Sequence, residues 1–324
     1  MSTKGEIYMT SLQIEKLKQT FDTIHTEIEK SIIGQRRVVE QVLVCMLCSS
    51  NGLLESYPGL GKTSLIKAIS EVMELDFRRI QCTPDLMPSD IIGTEIIDES
   101  SGKRVFKFQK GPVFTNILLA DEINRATPKT QSALLEAMQE KQVTANGVTY
   151  KLDPPFFVLA TQNPIEQEGT YPLPEAQADR FLLKILVGYP GPEEEFHIVN
   201  QYSKSDQEPL RRILGKNSLL ALQRFTRQVP IANDLVKYSI AIVTATRNDK
   251  EYIEFGASPR ASIGIVLAAK ARALMQGRAH VSEEDIREMA YPILRHRIIL
   301  NFEAERKGLN QDKVVEMLLK KVRI

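Results

Sequence analysis

The amino-acid sequence lacks a long apolar run and contains few cysteines. Its longest uninterrupted apolar run extends only from Val42 to Cys48, whereas a membrane-spanning helix needs roughly 18 apolar residues. The N-terminal residues also lack the apolar segment of a signal peptide. We therefore predict no membrane span and a cytoplasmic location, and the 3 cysteines among 324 residues fit a reducing compartment.

An excess of charge of either sign is also missing. The chain has 42 Lys and Arg residues against 41 Asp and Glu residues, which gives a net charge of +1. This balance offers no overall electrostatic reason to expect DNA, RNA or an anionic membrane as a partner. A local basic patch is still compatible with these totals, so nucleic acid is disfavoured rather than excluded.

Two of the cysteines, Cys45 and Cys48, form a C-x-x-C pattern within an apolar helical stretch. Their spacing of three places both on one helix face, where a free cysteine behaves as a small hydrophobic residue. No second Cys/His pair stands nearby to complete a zinc site. We predict that both pack in the core, with a redox or metal role as the alternative.

Most of the first half of the chain alternates between apolar strand candidates and helical patterns. Hydrophobic residues make up 43% of the chain and charged residues 26%, as is typical of a globular protein with a full core. The alternation predicts an α/β fold, with a parallel sheet and helices on both faces. The strand candidates are Gly52–Glu55, Phe77–Gln81, Asn116–Ala120, Phe156–Thr161 and Phe181–Leu186.

Two predicted hairpins interrupt this alternation, and a Pro/Gly cluster at residues 187–192 ends it. One hairpin turns around Ser100–Gly102, and the other turns at Asn146–Gly147, the strongest short hairpin signal. Beyond the cluster we find helical patterns and no clear strand. We therefore predict an α/β domain with two hairpin insertions over residues 1–190 and an all-helical domain over residues 191–324.

The stretch SYPGLGKTS, residues 56–64, lies between a predicted strand and a predicted helix, as a phosphate-binding loop does. Backbone N–H groups of such a loop cradle phosphates at a helix N-terminus. A mobile lysine reaches the β- and γ-phosphates, and the next hydroxyl binds Mg²⁺. The residues expected to contact nucleotide are Ser56, Pro58, Gly59, Leu60, Gly61, Lys62, Thr63 and Ser64, with Thr63 also contacting the metal.

Ser56 stands where the usual pattern has its first glycine. Because Ser56 follows a strand, we expect its backbone to stay extended, a conformation in which serine carries no penalty. Gly59 and Gly61 are the positions expected to need a positive φ.

Further polar residues follow two other predicted strands. Asp121 and Glu122 end an apolar strand, where buried carboxylates are costly unless a cation or a reaction uses them. We expect Asp121 to complete the Mg²⁺ shell and Glu122 to activate the attacking water; an acid-rich helix start is the alternative. Asn163 closes another strand and is a candidate to bind the γ-phosphate and the water, although Asn-Pro alone is only a turn signal.

Two arginines are candidates to neutralise the charge that develops during phosphoryl transfer. Arg180 precedes the last predicted strand and is a candidate arginine finger, with a surface ion pair as the alternative. Arg260 lies in the first turn of a helix capped by Ser258, where a cation opposes the helix dipole. An anion such as the γ-phosphate would explain that placement, and a carboxylate neighbour is the alternative.

Eight segments of the chain are informative in combination: GQRRVVEQ, YPGLGKT, TPDLMPSDIIGTE, KGPVF, LLADEINRA, QSALLEAMQEKQVT, ATQNPIEQEGTYPLPEAQADRF and SPRAS. Together they resemble the MoxR ATPases of the AAA+ superfamily. The resemblance covers about residues 30–300 and is specific in combination.

This resemblance implies a role for each candidate residue. Residues 56–63 match the Walker A loop with its first glycine replaced. Ile33 and Gly34 fall where the family contacts adenine, and Ala178 stands where the family usually has leucine. The remaining matches are Walker B at Asp121 and Glu122, sensor 1 at Asn163, the arginine finger at Arg180 and sensor 2 at Arg260.

The family implies a P-loop NTPase domain with a helical lid, ATP and Mg²⁺ as ligands, and a self-assembled ring that is usually hexameric, with the hairpins on its pore face. Its members are thought to act as chaperones that mature partner proteins, which often carry von Willebrand A domains. We therefore predict an ATP-hydrolysing remodelling protein. An ATP-binding scaffold without turnover and a DNA-remodelling motor are the alternatives.

Overall fold

The computed structural model describes residues 11–98, 104–165, 169–203 and 208–323. The chain forms two compact units, one of residues 27–221 and one that combines residues up to 26 with those from 222 onward. This division falls later than the boundary predicted at residues 190 and 191. The reason is that the segment after the Pro/Gly cluster packs on the first unit, as when the Ile213 N–H donates to the Val72 carbonyl over 2.8 Å. Two functional domains at the predicted boundary remain a prediction.

A five-stranded parallel sheet lies at the centre of the unit of residues 27–221. The strands are β1 (Gly52–Ser56), β2 (Phe77–Gln81), β5 (Ile117–Asp121), β8 (Phe157–Gln162) and β9 (Leu183–Val187). Their order in the sheet is β2-β5-β8-β1-β9. All five residues of β5 and the first five of β8 are buried, so both faces of the sheet are covered and the predicted parallel fold is confirmed.

Helices connect these strands and cover the sheet. The α-helices are α1 (Ser11–Glu29), α2 (Arg36–Leu47), α3 (Lys62–Val72), α4 (Pro88–Ile92), α5 (Pro128–Glu140), α6 (Glu175–Ala178) and α7 (Pro192–Tyr202). Apolar positions of α3 recur at helical spacing, and Leu65, Ile66 and Ile69 are fully buried. A short 3₁₀ turn, Ile123–Arg125, is separated from β5 by Glu122 alone.

Both predicted hairpins are present. The first pairs β3 (Gly93–Asp98) with β4 (Val105–Lys110), although its predicted turn at Ser100–Gly102 lies outside the described residues. The second pairs β6 (Gln142–Ala145) with β7 (Val148–Lys151). Its turn residues have φ of +48° and +78°, as a two-residue hairpin turn requires.

The described residues of the second unit are helical, apart from one small strand pair and the connecting turns. Strands β10 (Ile253–Phe255) and β11 (Ile299–Leu300) form an antiparallel pair that the sequence did not indicate. Strands of three and two residues are too short to show an alternating pattern. The helices are α8 (Lys216–Gln228), whose start belongs to the first unit, α9 (Asn233–Asn248), α10 (Pro259–Met275), α11 (Glu283–Leu294), α12 (Phe302–Arg306) and α13 (Gln311–Lys321).

The three cysteines are buried and free of disulfide bonds. Burial raises the pKa of Cys45 to about 12, so its thiol stays protonated at neutral pH. The predicted core packing of Cys45 and Cys48 is therefore confirmed. No helix in the described ranges has both the length and the apolar character needed to cross a membrane.

Glu27 is a buried carboxylate near the end of α1 that binds Arg211, another residue of the first unit. Its side chain is 1% exposed. It accepts hydrogen bonds from the Arg211 backbone N–H over 2.9 Å, from Arg211 Nε over 3.1 Å and from Lys30 Nζ over 3.0 Å. The Arg211 N–H foremost, with help from both side chains, lowers the pKa of Glu27 to about 2.

Glu27→Gln should lower the free energy of unfolding at neutral pH by about 2 kcal/mol, because a buried anion with charged donors is lost. The stabilisation by the ionised carboxylate is complete above the unfolded pKa near 4.5 and is lost as the pH falls towards 2. Urea unfolding should therefore show the two proteins converging across this range. Glu29→Gln, an exposed change on the same helix, is the control; an equal loss in both variants would contradict the assignment.

Candidate nucleotide site

The loop between β1 and α3 has the backbone conformation of a phosphate-binding turn. Gly59 and Gly61 have φ of +82° and +72°, and Gly61 directly precedes the first residue of α3. A Cβ atom at either position would meet no described atom within 4 Å. The glycines are therefore required by the left-handed backbone and not by lack of space. The unpaired N–H groups at the start of α3 are suited to bind an anion.

Ser56 is the last residue of β1 and does not take part in the left-handed turn. Its side chain is buried, and its Oγ donates to the Tyr57 carbonyl over 2.9 Å. Lys62 Nζ donates to the Ser56 carbonyl over 3.3 Å, so the lysine side chain lies along the loop. The expectation of an extended backbone at Ser56 is confirmed.

A cavity of about 570 Å³ opens beside this loop within the first unit. Loop residues 58–61 line it together with Ile33 and Gly34, so the predicted adenine contacts and part of the predicted phosphate loop share one space. Ser56, Lys62 and Thr63 do not line it, and Ser64 instead borders a separate cavity of about 300 Å³.

Helix α7 supplies a carboxylate to this cavity. Glu194 Oε2 accepts the Gly191 N–H over 2.8 Å, which caps the start of the helix. The same carboxylate packs directly against Gly34, where a Cβ atom would overlap it. Gly34 has a φ of +76°. It is therefore needed both for the left-handed backbone and for the close approach of Glu194.

The Thr161 hydroxyl joins the ends of β5 and β8. It donates to Asp121 Oδ1 over 2.6 Å and accepts the Glu122 N–H over 2.8 Å. Thr161 is fully buried, and Asp121 is 6% exposed. One hydroxyl thus fixes both the side chain of Asp121 and the backbone of Glu122.

Glu122 occupies an unusual backbone conformation. Its φ of +56° and ψ of +52° lie in the left-handed region, which non-glycine residues seldom adopt and which clusters at functional sites. Its Oε2 accepts from Gln81 Nε2 over 2.9 Å and from Arg125 Nη1 over 3.2 Å. The turn directs this carboxylate away from the continuing strand, towards these two side chains.

Because β1, β5 and β8 are parallel neighbours, their carboxyl ends share one edge of the sheet. With a strand spacing near 4.8 Å, the ends of β1 and β5 lie about 10 Å apart. Asn163 follows β8 at this edge and is 6% exposed. Its Oδ1 accepts the Ile165 N–H over 3.2 Å, and no described residue accepts from its Nδ2 group. That nitrogen is therefore a candidate donor to a ligand.

The two candidate arginines belong to different units. Arg180 lies in the first unit, where its Nε is enclosed without a hydrogen-bond partner and no described carboxylate pairs with it. The surface ion pair considered for Arg180 is therefore absent from the described chain. Arg260 lies in the second unit, in the first turn of α10, and Ser258 Oγ accepts its backbone N–H over 3.3 Å as predicted for the cap.

Sequence reasoning missed four side chains of this edge: Arg79, Gln81, Arg125 and Thr161. The alternation within β2 places Arg79 and Gln81 on one face, and the register pairs Gln81 with Asp121. The sequence alone does not show that β2 and β5 are neighbours, so it could not place these side chains beside the carboxylates. Thr161 could have been recognised from the sequence, because it is a hydroxyl residue near the end of an apolar strand and lies two residues before Asn163.

Thr63 and Asp121 supply the hard oxygen donors that Mg²⁺ prefers. Within the residues that the structure covers, no group of three His, Cys, Asp or Glu side chains is arranged to hold a metal alone. Mg²⁺ is commonly bound by one or two protein oxygens together with substrate phosphates. A single carboxylate, one hydroxyl and a neighbouring phosphate loop fit that mode.

Two family models match the chain in the regions that carry these features. Residues 51–183 match the ATPase family associated with various cellular activities, and residues 245–318 match an AAA lid domain. Chaperone MoxR1 of Mycobacterium tuberculosis is 45% identical over 304 residues, covering 91% of this chain and 80% of that protein. The chain belongs to the MoxR family of AAA+ ATPases.

Other relatives agree with this MoxR assignment. Protein MoxR of Paracoccus denitrificans is 31% identical over 307 residues, which cover 86% of this chain and 88% of that protein. A crystal structure of a candidate ATPase from Cytophaga hutchinsonii superposes with a TM-score of 0.89 at 45% identity, covering 96% of both chains. An AAA domain followed by a helical lid is therefore the fold of this MoxR protein.

Gly61→Ala should weaken ATP binding at least tenfold, because alanine in the left-handed region costs about 1–2 kcal/mol or moves the loop. Ser56→Gly should change affinity by tenfold or less, about 1.4 kcal/mol, because residue 56 ends a strand. Fluorescence titration with a labelled ATP would measure both, with circular dichroism to check folding. A gain of several orders of magnitude in Ser56→Gly would show that the native loop is distorted.

Proposed function

We propose that this MoxR protein hydrolyses ATP with Mg²⁺ and uses the turnover, as a self-assembled ring, to mature or remodel partner proteins. The observation that carries the proposal is the set of bonds around Thr161. They hold Asp121 and the strained Glu122 at the same sheet edge as the glycine loop. Relatives named as chaperones support the wider role.

Each residue has a distinct part in the proposed reaction. The backbone of Gly59–Gly61 binds phosphate oxygens, and Lys62 moves from the Ser56 carbonyl to the β- and γ-phosphates. Thr63 and Asp121 would hold Mg²⁺, which neutralises charge on the phosphates when it is bound. Asn163 Nδ2 orients the γ-phosphate or the attacking water, and Glu122 accepts a proton from that water.

For Glu122 to act as the base, its carboxylate has to turn from its present partners to the water. Gln81 and Arg125 both donate to Oε2, so they compete with the water for this carboxylate. The chain therefore rests in an arrangement that restrains hydrolysis. A scaffold without turnover is less well supported, because it gives no reason for a strained glutamate at this edge.

Arg180 supports assembly into a ring. Its enclosed Nε has no acceptor in the part of the chain that the structure describes. A buried donor without a partner is costly. We propose that Arg180 reaches the phosphates bound by a neighbouring subunit, as the family resemblance implies for an arginine finger, and that Arg260 acts as sensor 2.

The first hairpin supports a protein client. Ile97 and Phe106 pair across β3 and β4, and the two side chains are 55% and 72% exposed. An exposed apolar pair of this size is suited to contact another protein. The turn of the second hairpin, Asn146–Gly147, carries no basic residue, which disfavours a DNA motor. A client with a von Willebrand A domain, a hexameric ring and a cytoplasmic location remain part of the proposal.

Lys62→Ala should abolish ATP binding, whereas Glu122→Gln should bind ATP with near-native affinity and lose at least 99% of turnover, on the order of a hundredfold. Phosphate release and labelled-ATP titration would separate the two effects. Glu136→Gln, a carboxamide change on α5 outside this edge, is the control and should keep full activity. Equal rates for Glu122→Gln and the wild type would reject the role of Glu122 as base.

Mixing two inactive variants tests whether Arg180 acts between subunits. Arg180→Ala and Lys62→Ala are each expected to be inactive, but a mixed ring places an intact arginine next to an intact loop. We expect the mixture to recover part of the wild-type ATPase rate. A mixture of Arg180→Ala with the double variant should recover none. Full activity in a verified monomer would contradict the proposal.

A further inference from the structure

The ion pair between Arg79 and Asp121 is shorter than the one between Arg125 and Glu122, and no predicted role explains it. Arg79 extends from β2 to Asp121 on β5, and its Nη2 and Nε lie 2.6 Å and 3.1 Å from Asp121 Oδ2. Asp121 is nearly buried, whereas the Arg79 side chain is 45% exposed. A guanidinium that makes two bonds to one carboxylate is a firmly held counter-ion.

With this pair in place, both oxygens of Asp121 are occupied. Oδ1 accepts the Thr161 hydroxyl over 2.6 Å, and Oδ2 faces Arg79. A divalent cation that reaches Asp121 would therefore lie beside a permanent positive charge. The two cations repel each other, and burial of the carboxylate weakens solvent screening of that repulsion.

Arg79 also has a second acceptor at hand. The same Nη2 atom donates to Gln81 Oε1 over 2.6 Å. Gln81 in turn donates to Glu122, so the three side chains form one connected set. Arg79 is thus able to loosen its contact with Asp121 while its Nη2 keeps a hydrogen-bond partner.

We propose that Arg79 is a positioning residue that holds Asp121 as its counter-ion and keeps a divalent cation from binding before nucleotide. This proposal rests on the proposed ATPase function. The negative charge of bound phosphates offsets the repulsion, so the cation enters together with nucleotide. Arg79 thereby couples metal binding to nucleotide binding at the Asp121 carboxylate.

The test uses Mn²⁺ alone as the probe, bound to the nucleotide-free 324-residue chain and measured by electron paramagnetic resonance. Arg79→Met removes the charge and keeps an unbranched side chain. It should bind Mn²⁺ at least tenfold more tightly than the wild type. Adding Asp121→Asn to Arg79→Met should return the affinity to the wild-type level or below, because the gain depends on that carboxylate.

Arg78→Met is the matched control. Arg78 lies next to Arg79 on the same strand, points to the opposite face and is exposed. The Arg78→Met variant loses the same charge as Arg79→Met and should keep the Mn²⁺ affinity within twofold of the wild type. Arg79→Lys, which keeps the charge, should also stay near the wild type. If Arg79→Met fails to fold, Arg79→Gln, which removes the charge but keeps a polar side chain, should show the same gain in Mn²⁺ affinity.

Three results would overturn the proposal. Unchanged Mn²⁺ affinity in Arg79→Met would show that the ion pair does not oppose the metal. Weaker binding would show that Arg79 orients Asp121 for the metal. An equal gain in Mn²⁺ affinity in Arg78→Met would show that the effect comes from the change in net charge and not from the ion pair. Each is independent of ATP turnover, so loss of the proposed ATPase function would be recognised separately, by an inactive wild type.

Discussion

The candidate site depends on one buried hydroxyl. Thr161 donates to Asp121 and accepts from the backbone of Glu122, so it links the end of β8 to the end of β5. Without it, the Asp121 carboxylate would lose a hydrogen-bond donor, and the backbone N–H of Glu122 in its left-handed turn would lose its acceptor. The burial of Thr161 makes the link rigid, because water cannot replace either partner.

The same edge of the sheet balances its negative charge with arginines. Arg79 faces Asp121, and Arg125 faces Glu122 over 3.2 Å. The glycine loop that follows β1 offers backbone N–H groups as donors and contains no carboxylate. The edge therefore presents paired carboxylates on one side and unpaired donors on the other. An anionic ligand with a bound cation meets both needs at once.

Much of this fold follows from local sequence patterns, and the remainder required tertiary contacts. Strand β2 was predicted residue for residue, and the conformations of Ser56, Gly59 and Gly61 followed from strand and turn chemistry. The position of Arg79 could not be predicted, because single-strand patterns do not give strand order. The β10–β11 pair was missed because its strands are too short. The carboxylate pair was visible in the sequence, but the bridging role of Thr161 needed the sheet register.

The close contact between Gly34 and Glu194 has a consequence for how the cavity changes during evolution. Any side chain at position 34 would overlap the carboxylate of α7, and shortening residue 194 would remove the cap of that helix. A side chain at position 34 would also have to adopt a left-handed backbone, so it costs stability even if Glu194 moves aside. Among homologues we therefore expect position 34 to stay glycine, which makes this wall of the cavity slow to acquire a different shape.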